Sequence, residues 1–566
     1  MPNDDTSGNS LDQVFHSMVG RATGGLSPSA LGTAWLDWAI HLIGSPERQM
    51  QLYYSGWSKA FEALTAAYAA GLGGATATHS DATDGRFAGA EWNTPPYNLL
   101  RTWFQLQEAW WQEATAPIAG VDPAHQRIVA FAARQMLDMV SPSNAAWTNP
   151  VVQQTALKQN GQNFVRGWQH WLEDLNQIVS QTPKPHPDYR VGETIAVTDG
   201  DVVFQNRLIE LIRYRPTTAQ VRAEPILILP AWIMKYYILD LSPHNSLVAY
   251  LRDQGFEVFI ISWKNPTRDD SDLGLDDYLE LGLGAAVDHV APGRDDALHA
   301  VGYCLGGTLL AAGAAAMARD NDLRLRTVSV LAAQVDFTEP GELSLFINEN
   351  QVAFLEDLMA TQGYLRADQM AGAFRMLRST DLIWSRIVRH YLLGERTPMN
   401  DLMAWNADAT RMPARMHAEY LRHMFLRNCL ARGQFKVRGS PVALTDLRLP
   451  IFCLATETDH VSPWRSVYKL QLLTDTDVTF CLTKGGHNSG VLSEPGHVNR
   501  HYRLLKKTEG EHHMSPDRWL EQASLFDGSW WPAWVDWLNE HSGSKRGLQA
   551  RPEQSLGPAP GTYVFG

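Results

Sequence analysis

From Leu31 onward the apolar positions of the chain recur at helical spacing. Leu31, Trp35, Trp38 and Leu42 stand at i, i+4, i+7 and i+11, which lays them along one stripe of a helix. The same texture runs through "YNLLRTWFQLQEAWWQEA" and "NFVRGWQHWLEDLNQIV", and no strand-like run comes before about residue 190. A helical N-terminal domain over residues 28–190 is expected, ended by the turn-rich linker "QTPKPHPDYR". Residues 1–27, rich in Ser, Gly, Asp and Asn, read as a disordered tail.

The pattern then changes. "DVVFQNRLIELIRYRP" is rich in strand formers. Short apolar runs bounded by turn residues follow: "PILILP", "EVFIISW", "HAVGYC", "RTVSVLAA", "PIFCLATETD" and "VTFCLTKGGH". Continuous β-branched and apolar runs separated by helical stretches predict a mostly parallel sheet covered on both faces. The roughly 110 residues between Ala333 and Pro450 are helical, aromatic and Met-rich with no convincing strand. Such an insertion over an α/β sheet is expected to be a cap, at about residues 336–447. Residues 191–545 thus read as one α/β domain carrying a cap, and residues 546–566 as an extended tail. More than one domain also suits 566 residues, which exceed what a single hydrophobic core usually supports.

Composition narrows the classes of function. Hydrophobic residues make up 45% and charged residues 19%, ordinary values for a soluble globular protein. A net charge of −13 without a basic tract argues against nucleic-acid binding. The N-terminus "MPNDDTSGNS" lacks the apolar core of a secretory signal, and the longest apolar run, near "TLLAAGAAAMA", is too short to span a bilayer. Four cysteines, Cys304, Cys429, Cys453 and Cys481, form neither a disulfide framework nor a metal-spaced pair, so a reducing cytoplasm is expected. No P-loop or G-x-G-x-x-G signature occurs, and no metal or nucleotide cofactor is expected. Twenty tryptophans read first as core, and second as aromatic surface for an apolar partner or product.

The candidate chemistry centres on "HAVGYCLGGTLL". A strand meets a small-residue helix at Cys304, between Gly302 and Gly306, where a hydrolase commonly presents serine on a strained turn. The N–H of Leu305, at the helix start, favours negative charge there and makes one half of an oxyanion hole. A lone G-x-C-x-G is a weak signal, because a buried cysteine in a glycine-rich turn has the same spelling. Two downstream residues strengthen it. Asp459 follows a strand in "PIFCLATETDHVSPW", and His487 follows the next in "VTFCLTKGGHNSG", in the nucleophile, acid, histidine order of an α/β-hydrolase. No G-x-S-x-G competes. The loop after "PILILP" offers the second oxyanion donor, with the N–H of Trp232 or Ile233 favoured. The fold expected is an α/β-hydrolase core, and the chemistry is cysteine-dependent acyl transfer. A thiol suits transfer from a thioester donor, since the enzyme-bound acyl group stays activated toward an alcohol; a cysteine hydrolase remains compatible with these residues. His460 is expected to be a turn histidine, Trp384 a cap residue, and "GSWWPAWVDWL" an amphipathic helix burying tryptophan against the sheet.

With these residues in place the chain resembles the polyhydroxyalkanoate synthases of the long, single-subunit-type class. The resemblance runs from about Phe87 to Leu538 and includes "TNPVVQQTALKQNGQNFVRG", "VVFQNRLIELIRYRPTT", "LPAWIMKYYILDL", "FIISWKNP", "GYCLGGTLL", "DLIWSRIVRHYLLG", "WNADATRMPARMHAEYLR", "TDHVSPW" and "GSWWPAWVDWL". It implies polymerisation of (R)-3-hydroxyacyl-CoA, such as 3-hydroxybutyryl-CoA, into polyester with release of CoA. It also implies a cytoplasmic, dimerising enzyme that ends on the surface of its own granules. It places the nucleophile on Cys304, the aspartate on Asp459 and the histidine on His487, and leaves open whether Asp459 orients His487 or acts on the hydroxyl itself. Thioesterase or depolymerase activity, or a non-catalytic granule coat, are the alternative readings. The sequence departs from many relatives in "HNSGVLSEPGH" after the histidine and in the serine of "HVSPW", both near the expected acyl pocket.

Overall fold

The computed structural model describes residues 10–23, 25–71, 84–180, 187–547 and 555–566. They form two compact units. One comprises the segment up to Gly25, Pro185–Met370 and Met399–Gly566; the other comprises Leu26–Lys184 and Ala371–Pro398.

The first unit is built on an eleven-stranded sheet. Its strands are β1 (Gly200–Gln205), β2 (Ile209–Tyr214), β3 (Ile226–Leu229), β4 (Val258–Trp263), β5 (Leu298–Tyr303), β6 (Leu325–Leu331), β7 (Ile451–Thr456), β8 (Val478–Thr483), β9 (His501–Lys507), β10 (Ser524–Asp527) and β11 (Gly557–Pro558). The spatial order is β10-β9-β8-β7-β6-β5-β3-β4-β2-β1-β11. From β4 to β8 every pairing is parallel, and the strands outside that run pair antiparallel. Each apolar run singled out in the sequence is one of the parallel strands.

Period-two alternation assigns the two faces. Leu227 and Leu229 of β3 join the cluster that holds Leu309 and Leu310, whereas Ile226 and Ile228 join the cluster that holds Trp530, Trp534 and Trp537. Both faces are therefore covered, which explains why these strands read as continuous apolar runs. "GSWWPAWVDWL" forms the helix Trp531–His541 on the second face, with Phe452 of β7 packed 5.5 Å from the Trp537 ring.

Three boundaries differ from the sequence reading. Ser10–Ala22, inside the expected disordered tail, is a helix, α1; residues 1–9 lie outside the described ones. It packs against α2 (Glu349–Gln362), where His16 Nδ1 lies 2.7 Å from Asp357 Oδ2 and Gln351 donates to the Gly25 carbonyl at 2.6 Å. Polar composition hid a partner more than 300 residues away.

The expected cap of residues 336–447 is divided. Ala371–Pro398 belongs to the helical unit, Trp384 being half-buried there. Asn163 donates to the Leu392 carbonyl at 2.7 Å, and Tyr391 donates to Asp174 at 2.9 Å. The remainder of the cap stays with the sheet unit and contains short two-residue ladders, Tyr364–Leu365 with Met412–Pro413 and Lys436–Val437 with Ser440–Pro441.

The C-terminal residues are not a loose tail. Gly557–Pro558 adds the edge strand β11, and the buried Glu210 carboxylate accepts from the Thr562 and Tyr563 N–H groups, both at 2.9 Å. The Gly566 carbonyl then accepts from Lys235 at 2.8 Å and Asn265 at 3.0 Å.

In the helical unit no strand occurs among the described residues. The stripe read at Leu31, Trp35, Trp38 and Leu42 falls on one helix, Pro28–Ile43, yet Leu31 is exposed and the other three are half-buried. Ala30 and Ala34 take the buried positions. No described helix is long and apolar enough to cross a membrane.

Candidate active site

Cys304 stands between β5 and the helix Leu305–Arg319, with φ 53° and ψ −124°. A positive φ at a residue with a side chain costs energy and marks an imposed turn. The neighbouring glycines make the turn possible: a Cβ on Gly306 would lie 2.1 Å from the Leu229 carbonyl oxygen, and one on Gly302 would lie 2.5 Å from Gly307 Cα. The Cys304 N–H donates to the Leu331 carbonyl at 3.0 Å, tying the elbow to β6. The thiol is partly exposed, whereas Cys429, Cys453 and Cys481 are buried. Burial pushes the Cys453 and Cys481 thiols well above the ordinary range, which leaves them unreactive.

Asp459 and His487 leave the carboxyl ends of adjacent parallel strands, since β7 and β8 pair up to Thr456 opposite Thr483. Two backbone hydrogen bonds continue that pairing into the loops, Glu457 N–H to Thr483 at 2.9 Å and Thr458 N–H to Gly485 at 3.0 Å. The Asp459 side chain is fully buried and all its contacts are accepted bonds. Oδ1 takes the N–H groups of Val461 (2.8 Å) and Ser462 (2.9 Å); Oδ2 takes the Thr456 hydroxyl (3.2 Å) and His487 Nδ1 (2.7 Å). Burial opposes a charged imidazole at His487. The Asp459 carboxylate and then the Cys304 sulfur outweigh it, holding His487 well above the usual histidine range. The other ring nitrogen, Nε2, is buried, with the Cys304 thiol within hydrogen-bonding reach on that edge of the ring.

The loop after β3 is held from its carbonyl side. Thr410 donates its hydroxyl to the Trp232 carbonyl at 2.5 Å and its N–H to the Ile233 carbonyl at 3.2 Å. A trans peptide aims N–H opposite C=O, so the Ile233 N–H points away from Thr410. The Trp232 ring is buried against Tyr278 at 4.9 Å. Leu305, by contrast, opens the helix beside Cys304, so its N–H is one of the first-turn donors that helices leave unpaired.

The structure brings His487 together with Asp459, through the 2.7 Å bond, and with Cys304, whose sulfur acts on the imidazole. His460 sits in the turn after Asp459, half-buried, its carbonyl accepting from Glu342 N–H at 3.3 Å. The sequence reading missed the supports of the histidine loop: Trp530 donates to the Gly490 carbonyl at 3.1 Å and Trp531 to the Val491 carbonyl at 3.0 Å. The Trp-Trp doublet was legible as core, but its role at the loop after His487 lies about forty residues away in sequence. Among the described residues no group of three His, Cys, Asp or Glu side chains converges to hold a metal.

Residues 83–251 match the family described as poly-beta-hydroxybutyrate polymerase (PhaC) N-terminus, residues 7–48 match poly-beta-hydroxybutyrate polymerase N terminal, and residues 224–490 match the alpha/beta hydrolase fold. A poly(3-hydroxyalkanoate) polymerase of Methylorubrum extorquens is 40% identical, over 85% of this chain and 80% of its own. Polymerase subunits of Rhizobium meliloti and Rhizobium etli are 34% and 36% identical, over 94% and 85% of this chain and 85% and 76% of their own.

Proposed function

The chain belongs to the poly(3-hydroxyalkanoate) polymerases, acyltransferase-type enzymes on an α/β-hydrolase fold, and from that premise we propose that it grows a polyester from (R)-3-hydroxyacyl-CoA through a thioester on Cys304. The observation that carries the proposal is a strained elbow cysteine facing a buried histidine whose Nδ1 is held 2.7 Å from Asp459.

His487 Nε2 takes the Cys304 proton, and the thiolate attacks the acyl-CoA carbonyl. The tetrahedral oxyanion is received by the N–H groups of Leu305 and Ile233, with Trp232 the alternative second donor. As the intermediate collapses, the carbon–sulfur bond to CoA breaks and His487 returns its proton to the CoA thiolate. The 3-hydroxyl of an acyl unit then gives its proton to His487 and attacks the Cys304 thioester. One ester bond forms, and the sulfur leaves and regains its proton. Asp459 acts as orienter of His487 in this scheme. A carboxylate already accepting four hydrogen bonds has little capacity left to take a proton from an incoming hydroxyl. A homodimer and attachment to the polyester granule belong to the same reading.

Incubation with 3-hydroxybutyryl-CoA tests it. Free CoA should appear together with turbidity and insoluble polymer, and intact mass after a brief pulse should show an acyl adduct at Cys304. Cys304→Ala should lower CoA release by at least about a thousandfold. Soluble hydroxy acid without polymer would make the enzyme a thioesterase, and unchanged release by the Cys304→Ala protein would remove the cysteine from the mechanism.

A further inference from the structure

Three features surround the histidine beyond its bond to Asp459, and all involve one residue, Tyr303. Its ring lies 5.8 Å from the His487 ring, tilted by 33°. Its hydroxyl donates to Asn488 Oδ1 at 2.5 Å. It is 1% exposed, and it immediately precedes Cys304 in the chain. Asn488 immediately follows His487.

We infer that the Tyr303–Asn488 hydrogen bond is a positioning clamp that sets the distance between nucleophile and base, by joining the residue before Cys304 to the residue after His487. The elbow leaves β5 and the histidine loop leaves β8, with β6 and β7 between them in the sheet. No strand pairing joins the two loops directly, and the Trp530 and Trp531 bonds that support the histidine loop do not reach the elbow, so the spacing of the two loops depends on a side chain that bridges them. Asp459 holds only the Nδ1 edge of the imidazole; rotation of the loop about that bond would carry Nε2 away from the sulfur. The phenol and the carboxamide close that freedom, while the tyrosine ring walls one side of the imidazole. Burial, followed by the nearby Cys304 and Asp459, keeps the phenol well above its ordinary range, so it stays protonated and donating. Tyr303 is a positioning residue, since no bond of the proposed reaction forms on it.

The inference rests on the reading of Cys304 and His487 as nucleophile and base, and the test separates the two. Cys304 alkylation by iodoacetamide is followed against pH in the full chain and in Tyr303→Phe, Asn488→Ala and the double variant. Alkylation reads the thiolate–imidazolium pair and needs no polymerisation. Tyr303→Phe keeps the ring and removes only the bond. It should slow Cys304 alkylation at neutral pH, where a positioned imidazole assists the thiol. It should also lower kcat about tenfold with KM changed by no more than about twofold. The double variant should match the more affected single variant, because both remove one interaction. Superimposable pH profiles for the parent and Tyr303→Phe, or additive effects in the double variant, would overturn the clamp. A parent enzyme whose Cys304 shows no assisted alkylation would instead overturn the nucleophile reading itself. Equal thermal midpoints for parent and Tyr303→Phe would separate lost positioning from lost folding.

Discussion

At the C-terminal end of the sheet unit, Trp530, Trp531 and Trp534 are at most 1% exposed, whereas Tyr53, Trp57, Phe61 and Tyr68 on the helix Pro46–Gly71 of the other unit are 62–72% exposed. Both stretches are helices studded with aromatics. The first lies on a sheet face that supplies Phe452 at ring distance and an acceptor for each indole N–H, with Trp534 donating to the Ser329 hydroxyl at 3.0 Å. The second packs on the helix Tyr97–Ala114 through its other side, where Trp110 donates to the Leu52 carbonyl at 3.0 Å and Ala63, Ala66 and Ala67 border Leu99 and Trp103. Its aromatic stripe is left facing outward. Amphipathicity states that a helix has an apolar face; it does not state that anything covers it.

Substitutions sharpen this contrast. The largest effect is expected in the sheet unit at the site: Asp459→Asn should reduce turnover by about a thousandfold or more, because the amide no longer stabilises the imidazolium or selects its tautomer. Steady-state CoA release measures it, and an unimpaired variant would leave His487 oriented by something else. Trp534→Ser should cost about 3–5 kcal/mol of stability through the cavity and the orphaned Ser329, read by denaturant unfolding. Gly306→Ala should cost about 3 kcal/mol or fail to fold, because its Cβ meets a backbone oxygen that β3 holds in place. Trp57→Ser, by contrast, should change stability by no more than about 0.5 kcal/mol. A loss at Trp57 comparable to that at Trp534 would mean that the outward stripe is buried in the working protein, and the contrast between the units would fall.

How far the site was legible follows from what kind of information placed each residue. Cys304, Asp459 and His487 were legible as candidates because each follows a strand whose apolar run is unmistakable, and because their order along the chain is a property of sequence. The elbow glycines were legible for the same reason: steric exclusion at 2.1 Å and 2.5 Å is a demand on residue type. The hydrogen bonds from Trp530 and Trp531 to the histidine loop were not legible, nor was the bond between Tyr303 and Asn488. Those depend on which loops a sheet order of β8-β7-β6-β5 brings side by side. The candidate oxyanion donor stood between these cases. The loop was identifiable from "PILILP", but preferring Ile233 over Trp232 needed the bond from the Thr410 hydroxyl to the Trp232 carbonyl, which turns the Ile233 N–H away from Thr410.

The sequence by itself determined the parallel strands, the elbow, the order of its three candidate residues and the helical character of the described residues between 28 and 180, since all of these depend on local periodicity and on what a side chain permits its own backbone. Tertiary structure alone decided where the units divide and what the ends of the chain do. Ser10–Ala22 was polar enough to read as tail until Glu349–Gln362 provided a surface for it. Ala371–Pro398 read as cap until Asn163 and Asp174 drew it to the helical unit. The final residues read as extended until Glu210, Lys235 and Asn265 bound them. In each case the deciding partner lies more than 200 residues away, where no pattern along the chain records it.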